Sequence, residues 1–252
     1  MLATKFFNED RNLAASGGNN TYTYSHAGVD YKIHKFTADG TFTVNFTVPI
    51  DVLIIGGGGA GASLFGGGGA GGLRWLTNQN IVSGTAAVVV GAGGSGASGE
   101  SAASSVGTSG SNSSIVINGT TETAIGGGRG GSDETGATGG SGGGGGAWGG
   151  ASFAGGAGTS GQGNDGGAGS TANIFGGGGG GAATAGTIGG GGSTGANGAG
   201  GIGSSTFVNN STAETTAFLK AAVAGTDGNN AATTGSSSGT LYIAAGGNAG
   251  RY

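Results

Sequence analysis

The stretch Pro49-Ile50-Asp51-Val52-Leu53-Ile54-Ile55-Gly56-Gly57-Gly58-Gly59-Ala60-Gly61 decides the fold. Its first half is almost continuously apolar from Val52 to Ile55, as a strand buried on both faces must be. Its second half carries no side chain larger than a methyl group. At Gly56 the chain therefore passes from a sequence that buries side chains to one that can bury only backbone.

Upstream, the residues alternate with a period of two. Tyr22 and Tyr24 alternate with Thr and Ser; Val29, Tyr31, Ile33 and Lys35 fall on one face of a strand, with Lys32, His34 and Phe36 on the other. Thr41 to Phe46 sets Phe42, Val44 and Phe46 on the buried side of a further strand. Asp39-Gly40 between these runs tolerates positive φ and is expected to turn a hairpin. Downstream, Thr85 to Val90 is a strand, and Ser114 to Ile125 reads as a hairpin about Asn118-Gly119. Half of the residues between Gly126 and Gly203 are glycine, in runs of two to six broken by short polar or aromatic spacers. Ser211 with Glu214 forms a capping box ahead of Phe218, Leu219, Ala222 and Val223, which predicts one short α-helix near 211–224. Thr240 to Ala244 is expected to be a closing strand.

Seventy of the 252 residues are glycine, against a usual share of about 7%, while one proline is present. Collagen needs Gly at every third position and abundant Pro, so blocks such as Gly142 to Gly146 exclude it. A flexible linker or disordered tail has low hydrophobicity and high net charge, whereas this chain is 35% hydrophobic with a net charge of −4. The absence of cysteine removes disulfides, thiolate metal sites and a cysteine nucleophile. The opening Met1 to Ala15 has no apolar run and does not read as a secretory signal. No apolar stretch approaches the ~20 residues of a membrane span. A pI near 4.9 argues against nucleic acid as a partner.

A run of glycines holds neither a good helix nor a half-buried strand. It can extend into a left-handed threefold helix with no internal hydrogen bonds. Its N–H and C=O groups then point sideways and need neighbours if buried. The expected fold is mostly β and irregular: a small antiparallel β unit plus a bundle of polyglycine II helices. Residues 1–20 are expected as a docking arm, 21–125 as the β unit with the first glycine blocks, and 126–252 as the bundle. Leu64, Phe65, Leu73 and Trp75 are expected to clamp its edges.

Phe36, Gly40, Phe42, Val52, Leu53, Ile54 and Gly56 to Gly59 set out a Phe-x-x-x-Gly-x-Phe core, an apolar strand and a first glycine block. Val88 to Gly96, Gly126 to Gly131 and Gly142 to Gly146 continue in the same order. In this the chain resembles the glycine-rich domain family of bacteriophage virion and tail-fibre proteins. The resemblance implies a polyglycine II adhesin-type module in a virion, assembled in the host cytoplasm. Its partners would be other virion proteins and a host cell-surface receptor or glycan, and it would form a homo-oligomer such as a trimer. A capsid or tail decoration protein of purely structural role is the nearest alternative. Ice binding is a third, although the threonines are scattered.

No enzyme activity, cofactor or metal is expected. Gly56 to Gly61 lacks the helix and acidic residue of a dinucleotide site, and no Gly-Lys-Ser/Thr follows a glycine block. His26 and His34 read as ordinary strand residues rather than parts of a triad or metal site. Bulky groups cannot fit inside a glycine lattice, so the spacers must lie at its margins, where loops on a rigid scaffold present binding surfaces. The receptor-binding candidates are Arg129, Asp133, Glu134, Trp148, Phe153, Asn164, Asp165 and Phe175. The alternative reading of Asp133 and Glu134 is a solvated turn, and that of Trp148 and Phe175 is a cap on the lattice.

Overall fold

The computed structural model describes residues 2–6, 15–63, 65–97, 105–171, 174–190, 197–204, 244 and 246–249. The helix expected at 211–224 and, apart from Ala244, the closing strand lie outside the described residues. Among the described residues twelve strands run in chain order: β1 Leu2–Phe6, β2 Ala15–Ser16, β3 Asn20–His26, β4 Val29–Phe36, β5 Gly40–Val44, β6 Val48–Ile55, β7 Leu73–Ile81, β8 Gly84–Val89, β9 Ser113–Ile117, β10 Thr120–Ala124, β11 Ala147–Trp148 and β12 Ala151–Ser152. There is no helix among the described residues, and so none long and apolar enough to cross a membrane.

Two five-stranded sheets form, in the orders β3-β4-β1-β6-β7 and β10-β9-β8-β5-β2, and β11 pairs with β12 in a small hairpin. All of these ladders are antiparallel. One hydrophobic core lies between the two larger sheets. Phe36, Ile50, Val52 and Ile54 from the first meet Phe42, Val44, Ala86, Val88, Ile115 and Ile117 from the second. Phe36 and Phe42 meet edge to face, with centroids 6.4 Å apart, a favoured quadrupole arrangement. β6 buries its other face too, through Leu53 and Asp51, as its unbroken apolar run requires. Asp51 accepts a hydrogen bond from the Asn78 N–H at 2.8 Å, beside the bulge where the β6–β7 register shifts between Ile50 and Val52.

Several expectations change here. Residues 1–20 were set apart as an arm, but β1 lies between β4 and β6 in the first sheet. Asp39-Gly40 does not close a hairpin: β4 and β5 belong to different sheets, and the turn carries the chain across the core. Both edges of β4 are already taken by β3 and β1, so β5 pairs with β8 and β2 instead. The Asp39 carboxylate is used there as acceptor for the Val90 N–H at 2.8 Å. Strand β5 ends at Val44, and Phe46 is 43% exposed. Asn118-Gly119 does turn a hairpin, with φ of 50° and 83°. His34 and Lys35 are both buried. Burial pushes the imidazole of His34 below its ordinary pKa, against the opposing pull of its hydrogen bond with the Gly17 carbonyl. Burial likewise lowers the Lys35 ammonium.

The glycine runs leave the sandwich at one end and bond to each other at a fixed interval. The N–H groups of Gly66, Gly69 and Gly72 donate to the carbonyls of Gly131, Gly128 and Ile125, so those two runs are antiparallel. Gly67 and Ala70 donate to Gly177 and Gly180, a parallel pair. Gly57, Ala60 and Ser63 donate to Ser111, Thr108 and Ser105. Each ladder advances three residues at a time, so successive amides point in different directions and the direction recurs after three.

Gly176 to Gly181 shows the consequence. Bonds three residues apart tie it to segments 67–70, 142–145, 164–167, 184–187, 198–201 and 244–247. Residues 141–146 are likewise tied to 67–70, 128–131, 134–137, 153–156, 164–167 and 177–180. Each run thus has six neighbours, and the described backbone N–H groups of Gly177 to Gly181 all find carbonyls, as buried backbone demands. A Cβ added at Gly179 would lie 2.0 Å from the Gly68 carbonyl oxygen, and one at Gly144 1.9 Å from that of Gly177. Backbone fills the space that side chains fill in the sandwich. The blocks at 56–61 and 66–72 belong to this same bonded array, so the bundle draws on both sides of the boundary expected at 125/126.

Candidate functional site

The direction of each run follows from its bonding partner. Gly72 leads directly into β7, so the 72 end of run 66–72 is the end beside the sandwich, and the 66 end is distal. Gly131 bonds to Gly66, Gly144 to Gly67, and Gly67 to Gly177, which places residues 131, 144 and 177 near the distal end. Loops between runs consequently alternate. Those around 132–135, 147–153, 170–175 and 188–190 fall at the distal tip; those around 139–141, 159–163 and 182–184 fall at the base.

At the tip, β11 and β12 form a hairpin closed by Gly149 and Gly150, with φ of 60° and 84°, values that glycine adopts without steric cost. The turn lifts Trp148 to 40% exposure. Its ring lies 6.1 Å from that of Phe65 at a tilt of 38°, and Phe65 is fully buried. Phe153 is half-buried; its N–H donates to Gly146 and its carbonyl accepts from Gly169. Ser170 and Phe175 exchange backbone hydrogen bonds of 2.8 and 3.1 Å, closing a loop that leaves Ile174 46% exposed. Ile188 is 57% exposed beside Gly189, whose backbone packs on the Phe175 carbonyl.

Of the sequence candidates, the structure therefore brings Asp133, Glu134, Trp148, Phe153 and Phe175 to one end. Asp133 is exposed there. Glu134 is tied to Arg129, with Nη1 to Oε1 at 2.7 Å, so Arg129 serves as its partner from within the run; a pair this exposed contributes about 0–1 kcal/mol. Asn164 and Asp165 are not at the tip. They follow the base turn, where the Asn164 amide donates to the Gly181 and Ala182 carbonyls and the Asp165 carboxylate accepts from the Gly158 N–H. Alternation of the loops is the reason: one run intervenes between 153 and 164 and reverses the chain. Ile174 and Ile188, absent from the candidates, stand at the same tip, and the same count of runs would have found them.

The base is built for attachment. Gln162 accepts the Ile125 N–H at 2.8 Å through Oε1, donates through Nε2 to the Thr123 carbonyl, and accepts the Leu73 N–H through its own carbonyl. Arg74 of β7 pairs with Glu122 of β10 at 2.8 Å. The Gln162 bonds tie the bundle to the sandwich edge where β7 and β10 meet, and the Arg74–Glu122 pair joins those two strands. Among the described residues no group of three or more His, Asp or Glu is placed to hold a metal ion. What the tip offers is an exposed indole, two exposed isoleucines and a carboxylate on a backbone-bonded support.

The profile of a family described as the glycine-rich domain matches residues 37–252. No curated protein and no solved structure matches the chain significantly.

Proposed function

We propose, from the premise that the chain belongs to the glycine-rich domain family, that it is a bacteriophage virion protein, a tail-fibre or tail-tip module whose distal loops contact the host surface. The observation that carries this reading is the gathering of Trp148, Ile174 and Ile188, all exposed, at the end of the bundle remote from the sandwich. Exposed large apolar groups clustered on a rigid element mark interaction sites, and aromatic anchors often dominate contact energy. The phage setting is supported by the resemblance carried by Phe36 to Gly59.

The support is read as a bundle of polyglycine II helices. The three-residue ladder interval, the purely lateral hydrogen bonds and the absence of positive φ within runs 56–59, 66–72, 142–146 and 176–181 favour that conformation. Such a bundle holds loop ends still without an apolar core beneath them. The sandwich then serves as the base toward other virion proteins, and the protein resides in the particle.

The test replaces Trp148 by Ala and Ile174 and Ile188 by Ser together. Binding of labelled protein to cells of the phage's host is expected to fall severalfold, with the thermal midpoint held within a few degrees. Undiminished cell binding by the folded triple variant would overturn the reading.

A further inference from the structure

Among the described residues, three of the four edges of the two five-stranded sheets are blunted. β2 is two residues long. β10 has its Thr123 carbonyl occupied by Arg74 and Gln162 and its neighbouring Ile125 N–H held by Gln162. β7 is bulged at Asn78, and its Leu73 N–H and Asn80 carbonyl are bonded to Gln162 and Asn118. The fourth edge, β3, is seven residues long and carries neither Pro, Lys nor a bulge within it. Native proteins protect such edges because they template pairing with another strand.

The outward groups of β3 follow from its turn. Ala27 and Gly28 take φ of 51° and 77°, the two-residue turn whose flanking residues, His26 and Val29, exchange both hydrogen bonds. Bonding alternates from that pair along the register Asn20↔Lys35 to His26↔Val29. Asn20, Tyr22, Tyr24 and His26 therefore bond inward to β4, while Thr21, Thr23 and Ser25 turn their N–H and C=O groups away from the sheet. The side chains of all three are exposed. Among the described residues, no hydrogen bond occupies the outward backbone of Thr21 or Thr23.

The sequence of this edge is its own complement. Thr21-Tyr22-Thr23-Tyr24-Ser25 laid antiparallel on itself about Thr23 sets Thr23 against Thr23, Thr21 against Ser25 and Tyr22 against Tyr24. The first two kinds of pair are hydrogen-bonded, because their backbones face outward. The Tyr pairs fall in the closer, non-hydrogen-bonded positions, where aromatic cross-strand pairs stabilise a sheet. Tyr24 already stacks on Tyr31 at 4.9 Å, so the second copy's Tyr22 would extend a row of rings. β3 itself carries no carboxylate, lysine or arginine to oppose its copy.

We propose that two copies of this chain associate through β3 about a two-fold axis at Thr23, joining their first sheets into one continuous sheet. The partner is a second copy of this chain, selected by the self-complementary edge. The interface lies on the sandwich and leaves both distal tips free.

The test uses the full chain. Its mass, measured by light scattering over a concentration series, is expected to reach twice that of the monomer. Thr23→Lys brings like charges together on the axis and is expected to raise the dimer dissociation constant at least about tenfold. The chain has no cysteine, so Thr23→Cys reports the axis directly. A hydrogen-bonded pair sets the two Cα atoms about 5.5 Å apart, within disulfide reach, whereas two copies of Thr21→Cys lie about 13 Å apart. Oxidation is expected to cross-link the first variant and not the second. A monomer at every concentration, a three-fold mass, a dimer indifferent to Thr23→Lys, or equal cross-linking at positions 21 and 23 would each overturn the proposal. Unchanged thermal midpoints for the variants exclude unfolding as the cause.

Discussion

Replacing Gly179 by alanine adds one methyl group and should cost more than most core truncations. The added Cβ would meet the Gly68 carbonyl oxygen at 2.0 Å and its carbon at 2.4 Å, where ordinary contact begins at 3.4 Å. The run must therefore shift by more than about 1 Å in a close-packed interior. With six neighbouring segments it has no free side to move toward. A shift strains the bonds from Gly179 to Gly247, from Gly201 to Gly179 and from Gly247 to Gly68, now 2.8–2.9 Å. Leaving two of them unmade costs about 1–3 kcal/mol each, and overpacking adds about 1–3 kcal/mol. The sum, about 3–9 kcal/mol, approaches the whole stability of an ordinary domain, about 5–15 kcal/mol. Gly58→Ala is the control: a Cβ added at Gly58, which is exposed, would come no nearer than 3.9 Å to another segment, at the Gly69 carbonyl oxygen. It should be neutral or stabilising by up to about 1 kcal/mol, through the unfolded chain. Thermal unfolding is expected to show a drop of about 10 °C or more for Gly179→Ala and none for Gly58→Ala. Equal midpoints for the two would refute the claim that backbone contact, not glycine's flexibility, sets the requirement.

Gln162→Ala removes the acceptor of the Ile125 N–H, and an orphaned buried donor costs about 1–3 kcal/mol; faster amide exchange at Ile125 with a lower thermal midpoint is the expected result. Phe42→Ala empties a fully buried position and should lose about 3–5 kcal/mol in denaturant titration, whereas Phe46→Ala, at an exposed turn, should change stability by less than about 0.5 kcal/mol. His34 titrates below its unfolded value because burial disfavours its charge. At mildly acidic pH the unfolded chain therefore takes up the proton first, and the stability held above the unfolded pKa, near 6.5, is lost as pH falls toward the folded one. Thermal midpoints measured from pH 8 down to 5 should decline more steeply for the native chain than for His34→Gln.

The strands were legible where their own residues decide them. Val52 to Ile55 buries both faces because both faces are apolar, and Asn118-Gly119 turns because its residues tolerate the required φ. Pairing was less legible, since alternation says which face is buried and not which strand lies alongside. Asp39-Gly40 has the chemistry of a hairpin, yet β4 was already flanked, and the turn spans the core. β1, with a lysine among five residues, owes its place to the strands on either side of it rather than to a period of its own.

Residue type alone does not say at which end of the bundle a spacer lies. Trp148 and Asn164 sit in similar glycine-bounded spacers, and local composition cannot tell a presented side chain from a tie. Their opposite fates follow from counting: the chain reverses at every spacer, so one run between two of them sends them to opposite ends. Asn164 faces the carbonyls of Gly181 and Ala182 because the base is where turns must bind runs together; Trp148, in a turn at the tip, is left 40% exposed among the described residues. In a fold whose interior admits almost no side chains, the order of the spacers thus carries the information that hydrophobic patterning carries in the sandwich.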